Sequence, residues 1–226
     1  MEVRDIVLVG AGGFGREVLW QINQLNDDTK QYNVLGFIDE AIELQGEMIN
    51  GFPVLGNSQW LLNYPKEIGV MICIGNSKVR KEAYNKIKKN SNIIFPTIIA
   101  KDVQCSDSVR FGQGCIICLS TIFTVNITVG DFVITNLDCT VGHDAVLDDF
   151  VTLYPSVNVS GNVKIESGVE IGTGTNIIQG KVIGENSVIG AGSVVVKDIP
   201  ENCTAVGAPA VPIKGYKLGS KRSERK

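Results

Sequence analysis

The sequence predicts a chain in two parts. A small parallel α/β domain occupies residues 1–95, a parallel β-helix occupies 96–213, and a basic tail follows at 214–226. Three observations carry this reading. A hexad pattern runs without insertion over residues 99–194. Ahead of it stand a strand, a glycine-rich turn and a helical stretch. The composition is also skewed toward pleated sheet: Val and Ile number 53 against 13 Leu, and 25 Gly accompany only 7 Pro, which favours short strands joined by tight turns.

In chain order, residues 3–9 form a short buried strand that runs into Gly10-Ala11-Gly12-Gly13-Phe14-Gly15, a G-x-G-x-x-G turn. Residues 16–25 then place apolar side chains at helical spacing. Residues 34–38 are a second strand ending in Asp39-Glu40, with the first acid 24 residues past the last glycine of the turn. Strand, glycine turn, helix, strand and acid in this order make a small Rossmann-like βαβ unit. Residues 70–74 are a third strand, followed by Gly75-Asn76-Ser77, and Asn76 or Ser77 caps a basic helix over 78–89. The glycines of such a turn let the backbone approach a phosphate, and the helix N-terminus supplies N–H donors. Asp39 and Glu40 are placed to accept hydrogen bonds from a sugar hydroxyl or a base N–H. The domain is only about half the size of a dinucleotide fold, so a mononucleotide or nucleotide-sugar fits better than NAD.

The second part divides into sixteen hexads. Their first position is large and apolar in fourteen, Cys105 and Thr135 being the exceptions. The fifth is almost always small or β-branched, and the second is Gly at 112, 130, 142, 172, 184 and 190. A period of six is neither helical nor simple strand alternation. It fits a prism whose faces are one hexad wide. The large residue fills the core, the small one packs near the corner, and the glycine is expected to serve the turn. Three faces make a coil, so sixteen hexads give five coils and one extra face.

Composition excludes several function classes. The net charge of −3 gives no basic surplus for nucleic acid. No apolar run reaches membrane-spanning length, and no signal peptide precedes the first strand, so a cytoplasmic location is expected. The six Cys sit mostly in apolar runs and read as reduced core residues. Cys115-Ile-Ile-Cys118 has no second pair at zinc-finger spacing. A zinc carbonic anhydrase needs three His, and the chain has one. No metal is expected.

The hexads Ile-Gly-Glu-Asn-Ser-Val (183–188) and Ile-Gly-Ala-Gly-Ser-Val (189–194), with Val-Gly-Ala-Pro-Ala (206–210) after them, resemble the hexapeptide-repeat acyltransferases. Gly-Phe-Ile-Asp-Glu (36–40), Gly-Phe-Pro-Val-Leu-Gly (51–56) and Ile-Gly-Asn-Ser (74–77) extend the likeness. Over residues 3–213 the chain resembles the sugar O-/N-acyltransferases of the sialic-acid O-acetyltransferase and bacillosamine N-acetyltransferase type. That resemblance implies a left-handed β-helix, a homotrimer, acetyl-CoA as co-substrate and a nucleotide-linked amino sugar as acceptor. Carried across, it places Gly12, Gly13 and Phe14 at the phosphates or sugar and Asp39 and Glu40 near the base, with Gly75 and Asn76 beside them. It implies that CoA lies in the groove between adjacent β-helices, with Gly161, Thr173 and Ala191 at positions that contact it.

The single histidine, His143, stands at the third position of its hexad, near a corner, and is expected to point outward. Acetyl transfer to an amine or hydroxyl needs a base, and imidazole suits that near neutrality. Asp144 follows directly and can fix its tautomer. The resemblance makes His143 the general base of a direct transfer. Many relatives carry a second His nine residues further on, in contact with the acetyl group. Here that position is Thr152, a candidate cofactor contact that cannot act as an imidazole. Three readings stay open: N-acetyl transfer to an amino sugar, O-acetyl transfer to sialic acid or a related sugar, and a non-catalytic trimeric scaffold that binds nucleotide-sugar.

Overall fold

The computed structural model describes residues 3–213, so the basic tail at 214–226 lies outside the described residues. The N-terminal domain is built on a six-stranded sheet. In chain order its elements are β1 (Arg4–Val9), α1 (Gly13–Asp28), β2 (Tyr32–Ile38), β3 (Met48–Ile49), β4 (Phe52–Gly56), α2 (Ser58–Leu62), β5 (Ile68–Ile72), α3 (Ser77–Ile87) and β6 (Ile93–Ile94). The strand order is β3-β4-β2-β1-β5-β6, and all neighbours are parallel except β3 and β4. β1 lies at the centre because it is apolar on both faces: Ile6, Val7 and Leu8 are fully buried. The two outer glycines of the first turn have internal reasons. Gly10 holds φ +100°, which favours glycine, and a Cβ on Gly15 would strike the Gly10 carbonyl, so α1 seats directly on the end of β1.

The β-helix is a stack of two-residue strands on three faces. From Ile98 to Val195 each pairing joins a residue to the one 18 further on, as in Ile116↔Ile134 and Phe123↔Val141, and the last coil closes at 16, with Val188↔Thr204 and Ile183↔Ile199. The first sheet carries Ile98–Ile99, Ile116–Ile117, Ile134–Thr135, Thr152–Leu153, Glu170–Ile171, Val188–Ile189 and Thr204–Val206. The second runs from Gln104–Cys105 to Val194–Val195, and the third from Arg110–Phe111 to Val182–Ile183. The hexad reading therefore holds, and the fold is a small parallel α/β domain followed by a left-handed parallel β-helix. First and fifth positions form one continuous core from Val109 to Ala205. Burying each Val, Ile or Leu there contributes roughly 1.5–3 kcal/mol relative to leaving it exposed.

Both exceptions at the first position have a place. Cys105 is exposed where the prism begins. Thr135 is fully buried with its hydroxyl unpaired.

The glycines differ from expectation. Those at the second position do not serve the turn. Each is required by the coil that stacks on it: a Cβ on Gly142 would meet the backbone of Ser160 and Gly161, and one on Gly172 the backbone of Ala191. The turn is made at the fourth position, which adopts positive φ at Asp144, Phe150 and Asn162 as well as at Gly168 and Gly174.

The two domains share a core. Outward residues of the first sheet, Ile98, Ile116 and Ile134, pack with Leu8, Val18, Ile22 and Met71. At the corner between the third and first sheets, Phe132 and Phe150 stack 5.1 Å apart, and Tyr84 of α3 lies 4.4 Å from Phe132.

Candidate active site

His143 and Asp144 lie in the turn that joins the second sheet to the third. Asp144 holds φ +58°, and this turns its carboxylate back to the ring. His143 Nδ1 stands 2.8 Å from Asp144 Oδ2, with both side chains about half exposed at 50% and 47%. A carboxylate only accepts, so Nδ1 carries the hydrogen, and in the neutral ring the lone pair is then on Nε2. Asn126, one coil earlier, donates to the other oxygen of Asp144 at 3.3 Å. The hydrogen bond from His143, and after it that from Asn126, holds the Asp144 carboxyl below the usual aspartate range.

Gly161 sits one coil further along the same edge. A Cβ there would fall against Nε2 and Cε1 of His143. Thr173 and Ala191 are exposed and occupy the other edge of the second sheet, where the chain passes from the first sheet to the second. The three residues expected at CoA thus divide between two edges of the prism.

In the N-terminal turn, Gly12 is the N-cap of α1 and contributes no side-chain hydrogen bond to its first turn. A Cβ on Gly12 would meet nothing within 4 Å, and one on Gly13 only the end of Arg16 at 3.9 Å. These two glycines border open space. Phe14 is half-buried against the shared core. Asp39 accepts backbone N–H bonds on both oxygens, from Ala11 at 2.9 Å and Ala41 at 3.0 Å. It therefore shapes the glycine turn itself. Glu40 is exposed, pairs with Lys86 at 2.9 Å and accepts from the Ser58 amide. Hydrogen bonding from Ser58, and then from Lys86, holds its carboxyl below the usual range.

Gly75, Asn76 and Thr152 come together at the joint between the domains. Asn76 caps α3, accepting from Val79 N at 3.0 Å, and its amide donates to Glu170 at 2.9 Å. Thr152 is expected at the cofactor, but the structure gives its hydroxyl two protein partners. It donates to the Gly75 carbonyl at 2.7 Å and accepts from Arg80 at 2.9 Å, fully buried. The physical reason is that Thr152 points outward from the first sheet, the face the N-terminal domain covers.

Three residues of this joint were not singled out from the sequence: Arg80, Tyr154 and Glu170. A signal existed for two of them. Arg80 shares a helical stripe with Ala83, Tyr84 and Ile87, the face that α3 buries. Glu170 continues the 18-residue column Ile116, Ile134, Thr152, where a carboxylate breaks an apolar row. Burial lowers the Arg80 pKa to about 10, with Glu170 opposing that fall, so the guanidinium stays charged at neutral pH. Burial, and then Glu170, raises the Tyr154 hydroxyl to about 12.

Among the described residues no helix is long and apolar enough to cross a membrane. Residues 5–87 match the family model of the PglD N-terminal domain. No curated protein matches the chain. Among solved structures it is similar to WeeI from Acinetobacter baumannii AYE, at 32% identity and a TM-score of 0.83, over 93% of this chain and 100% of that one. It is similar to the acetyltransferase domain of PglB from Neisseria gonorrhoeae FA1090 in complex with acetyl coenzyme A, at 30% identity and a TM-score of 0.83, over 94% and 100%. The fold is also that of a mutant of perosamine N-acetyltransferase from Caulobacter crescentus in complex with CoA and GDP-perosamine, at 24% identity and a TM-score of 0.85, over 95% and 99%.

Proposed function

This chain belongs to the hexapeptide-repeat sugar acetyltransferase family, and from that premise we propose that it transfers the acetyl group of acetyl-CoA to the amino group of a nucleotide-linked amino sugar. The observation that carries the reading is the His143–Asp144 pair, 2.8 Å apart on a half-exposed edge, with Asp144 engaging Nδ1 and leaving Nε2 as the other ring nitrogen, above Gly161. The acceptor amine gives a proton to Nε2 as its nitrogen attacks the thioester carbonyl. The C–N bond forms, the C–S bond breaks, and the proton passes to the departing CoA thiolate. Asp144 keeps the imidazole in the required tautomer and steadies the imidazolium. Backbone N–H groups would hold the tetrahedral oxyanion. The PglB domain in complex with acetyl coenzyme A and the perosamine enzyme in complex with CoA and GDP-perosamine support both substrate classes.

We place the acceptor at the open Gly12–Gly13 turn and beside Gly75, with Asp39 and Glu40 bordering it. Asp39 and Glu40 act there chiefly by shaping the backbone. Gly161, Thr173 and Ala191 would contact CoA, and Thr152 acts through Gly75 rather than on the thioester.

The topology argues for a homotrimer. The N-terminal domain covers the first sheet, and His143 sits at the opposite vertex, between the second and third sheets. Within one chain this puts Gly75 and His143 on opposite sides of the prism. A threefold packing through the second sheets lays the first/second edge of one chain beside the second/third edge of the next. That arrangement reunites Gly75, Thr173 and Ala191 with a neighbour's His143 and Gly161. The reaction belongs in the cytoplasm, where acetyl-CoA and nucleotide-sugars are made.

The test is CoA thiol release from acetyl-CoA with UDP-, dTDP- and GDP-linked amino sugars and with free and CMP-linked sialic acid. Turnover of one amino sugar is expected. Turnover of sialic acid alone would overturn N-acetylation in favour of O-acetylation. Silence with acetyl-CoA still bound would favour the scaffold.

A further inference from the structure

We infer that Arg80 and Glu170 are positioning residues for the acceptor, locking the Gly75–Ser77 loop to the first sheet of the β-helix; this rests on the reading of Gly75 as part of the acceptor site. The geometry is unusually complete. Arg80 is 1% exposed. Its Nε donates to Phe132 O at 3.0 Å, and Nη1 donates to Ile74 O at 2.7 Å and Gly75 O at 2.9 Å. Nη2 donates to Phe150 O at 2.8 Å, Val151 O at 3.2 Å and Thr152 Oγ1 at 2.9 Å. One guanidinium thus holds carbonyls of both domains.

The carbonyls of Ile74 and Gly75 lie past the end of β5 and have no strand to pair with. Arg80 and Thr152 are what satisfy them, and an unmet buried carbonyl is costly. Glu170 grips the other side of the loop. Its Oε1 accepts from Asn76 Nδ2, Ser77 N and Ser77 Oγ, each at 2.9 Å, and its Oε2 accepts from Tyr154 at 3.0 Å. The Tyr154 ring closes the site, 3.6 Å from where a Gly75 Cβ would lie.

The placement of these charges is informative. Apolar contacts already join the domains at Ile98, Ile116 and Ile134. The column turns polar at Thr152 and Glu170, the level where the loop crosses. Buried charges are a poor way to add stability, since well-packed apolar residues do as well or better. A fork of fixed geometry does set a position, and here it sets the loop that orients the sugar.

The experiment compares Glu170→Gln, Arg80→Lys and Thr152→Val with wild type, reading kcat and both KM values with the amino sugar that wild type turns over, and melting temperature. The acceptor kcat/KM is expected to fall at least about tenfold, with the acetyl-CoA KM within about twofold of wild type. Thr152→Ser, which keeps the hydroxyl, should restore wild-type values. Should the charge variants fail to fold, the near-isosteric Thr152→Val carries the test. Equal change in both KM values, or unchanged acceptor kinetics in a folded variant, overturns the inference and leaves the functional reading standing. A wild type that acetylates no amino sugar overturns that reading first, and the inference with it.

Discussion

The imidazole of His143 occupies the space that a Cβ at Gly161 would need. The ring is therefore seated by a missing side chain one coil away as well as by its bond to Asp144. Gly161 is expected at CoA from the resemblance. The structure adds a second reason for glycine there that needs no ligand.

Gly161→Ala should consequently act on the base. Gly161 does not hold a positive φ, so alanine fits the backbone. The methyl group would push the ring aside, and displacements of this size cost up to about 10²-fold in rate. A fall in kcat with an unchanged melting temperature is the expected result. For comparison, His143→Ala should lose on the order of 10²–10⁴-fold. Full activity in either variant would remove His143 from the mechanism.

Asp144 supplies a pH prediction. Its folded pKa is depressed, so the carboxylate persists below the pH at which a free aspartate takes up a proton, near about 3.9, and is lost only as pH falls through the depressed value. A carboxyl-carbon NMR titration should place the Asp144 midpoint below the ordinary one. In His143→Ala the midpoint should move up, because the His143 hydrogen bond that does most to hold it down is gone.

The proposed trimer, with its site shared between chains, makes a prediction by mixing. The His143→Ala and Gly12→Leu variants should each be nearly inactive when made alone. Co-expression should restore part of the activity, because some mixed sites pair an intact turn with an intact base. Absence of rescue in verified mixed trimers would place both halves of the site in one chain.

The thiols test the direct-transfer mechanism. Burial raises Cys139 and Cys118 to about 12 and Cys115 to about 11, so none of the three is a thiolate at neutral pH. In the folded protein a thiol reagent should label only Cys105 and Cys203, the two not buried. Cys139→Ala should keep its turnover while melting earlier, and a large loss of kcat would point to an acyl-enzyme.

The β-helix was legible because its core obeys a strict rule of side-chain size, which any reader of residues 99–194 can follow. Its turn geometry was not. Phe132 and Phe150 take positive φ although nothing in a phenylalanine announces it; the coil imposes the conformation, and packing against Tyr84 holds it. His143 and Asp144 were legible because they are adjacent in sequence. The joint was not, because Arg80 meets Thr152 at a separation of 72 positions and Glu170 meets Ser77 at 93. Asp39 shows a third situation. The motif located the acid correctly, yet its carboxylate is directed at Ala11 and Ala41 of its own fold.

The regular pairing of each residue with the one 18 further on also works as a ruler. Thr152, where the acceptor loop is anchored, follows His143 by nine positions, which is half a turn of the spiral. Adjacent strands are about 4.8 Å apart, so anchor and base differ in height by only about 2.4 Å. Rotation about a threefold axis parallel to the spiral changes no heights. Neighbouring chains would therefore meet level, with acceptor and base on nearly one plane. Adding or removing a coil between the two could shift that plane only in steps of about 4.8 Å, too coarse for a hydrogen bond to follow, which gives the nine-position spacing a geometric reason to stay fixed.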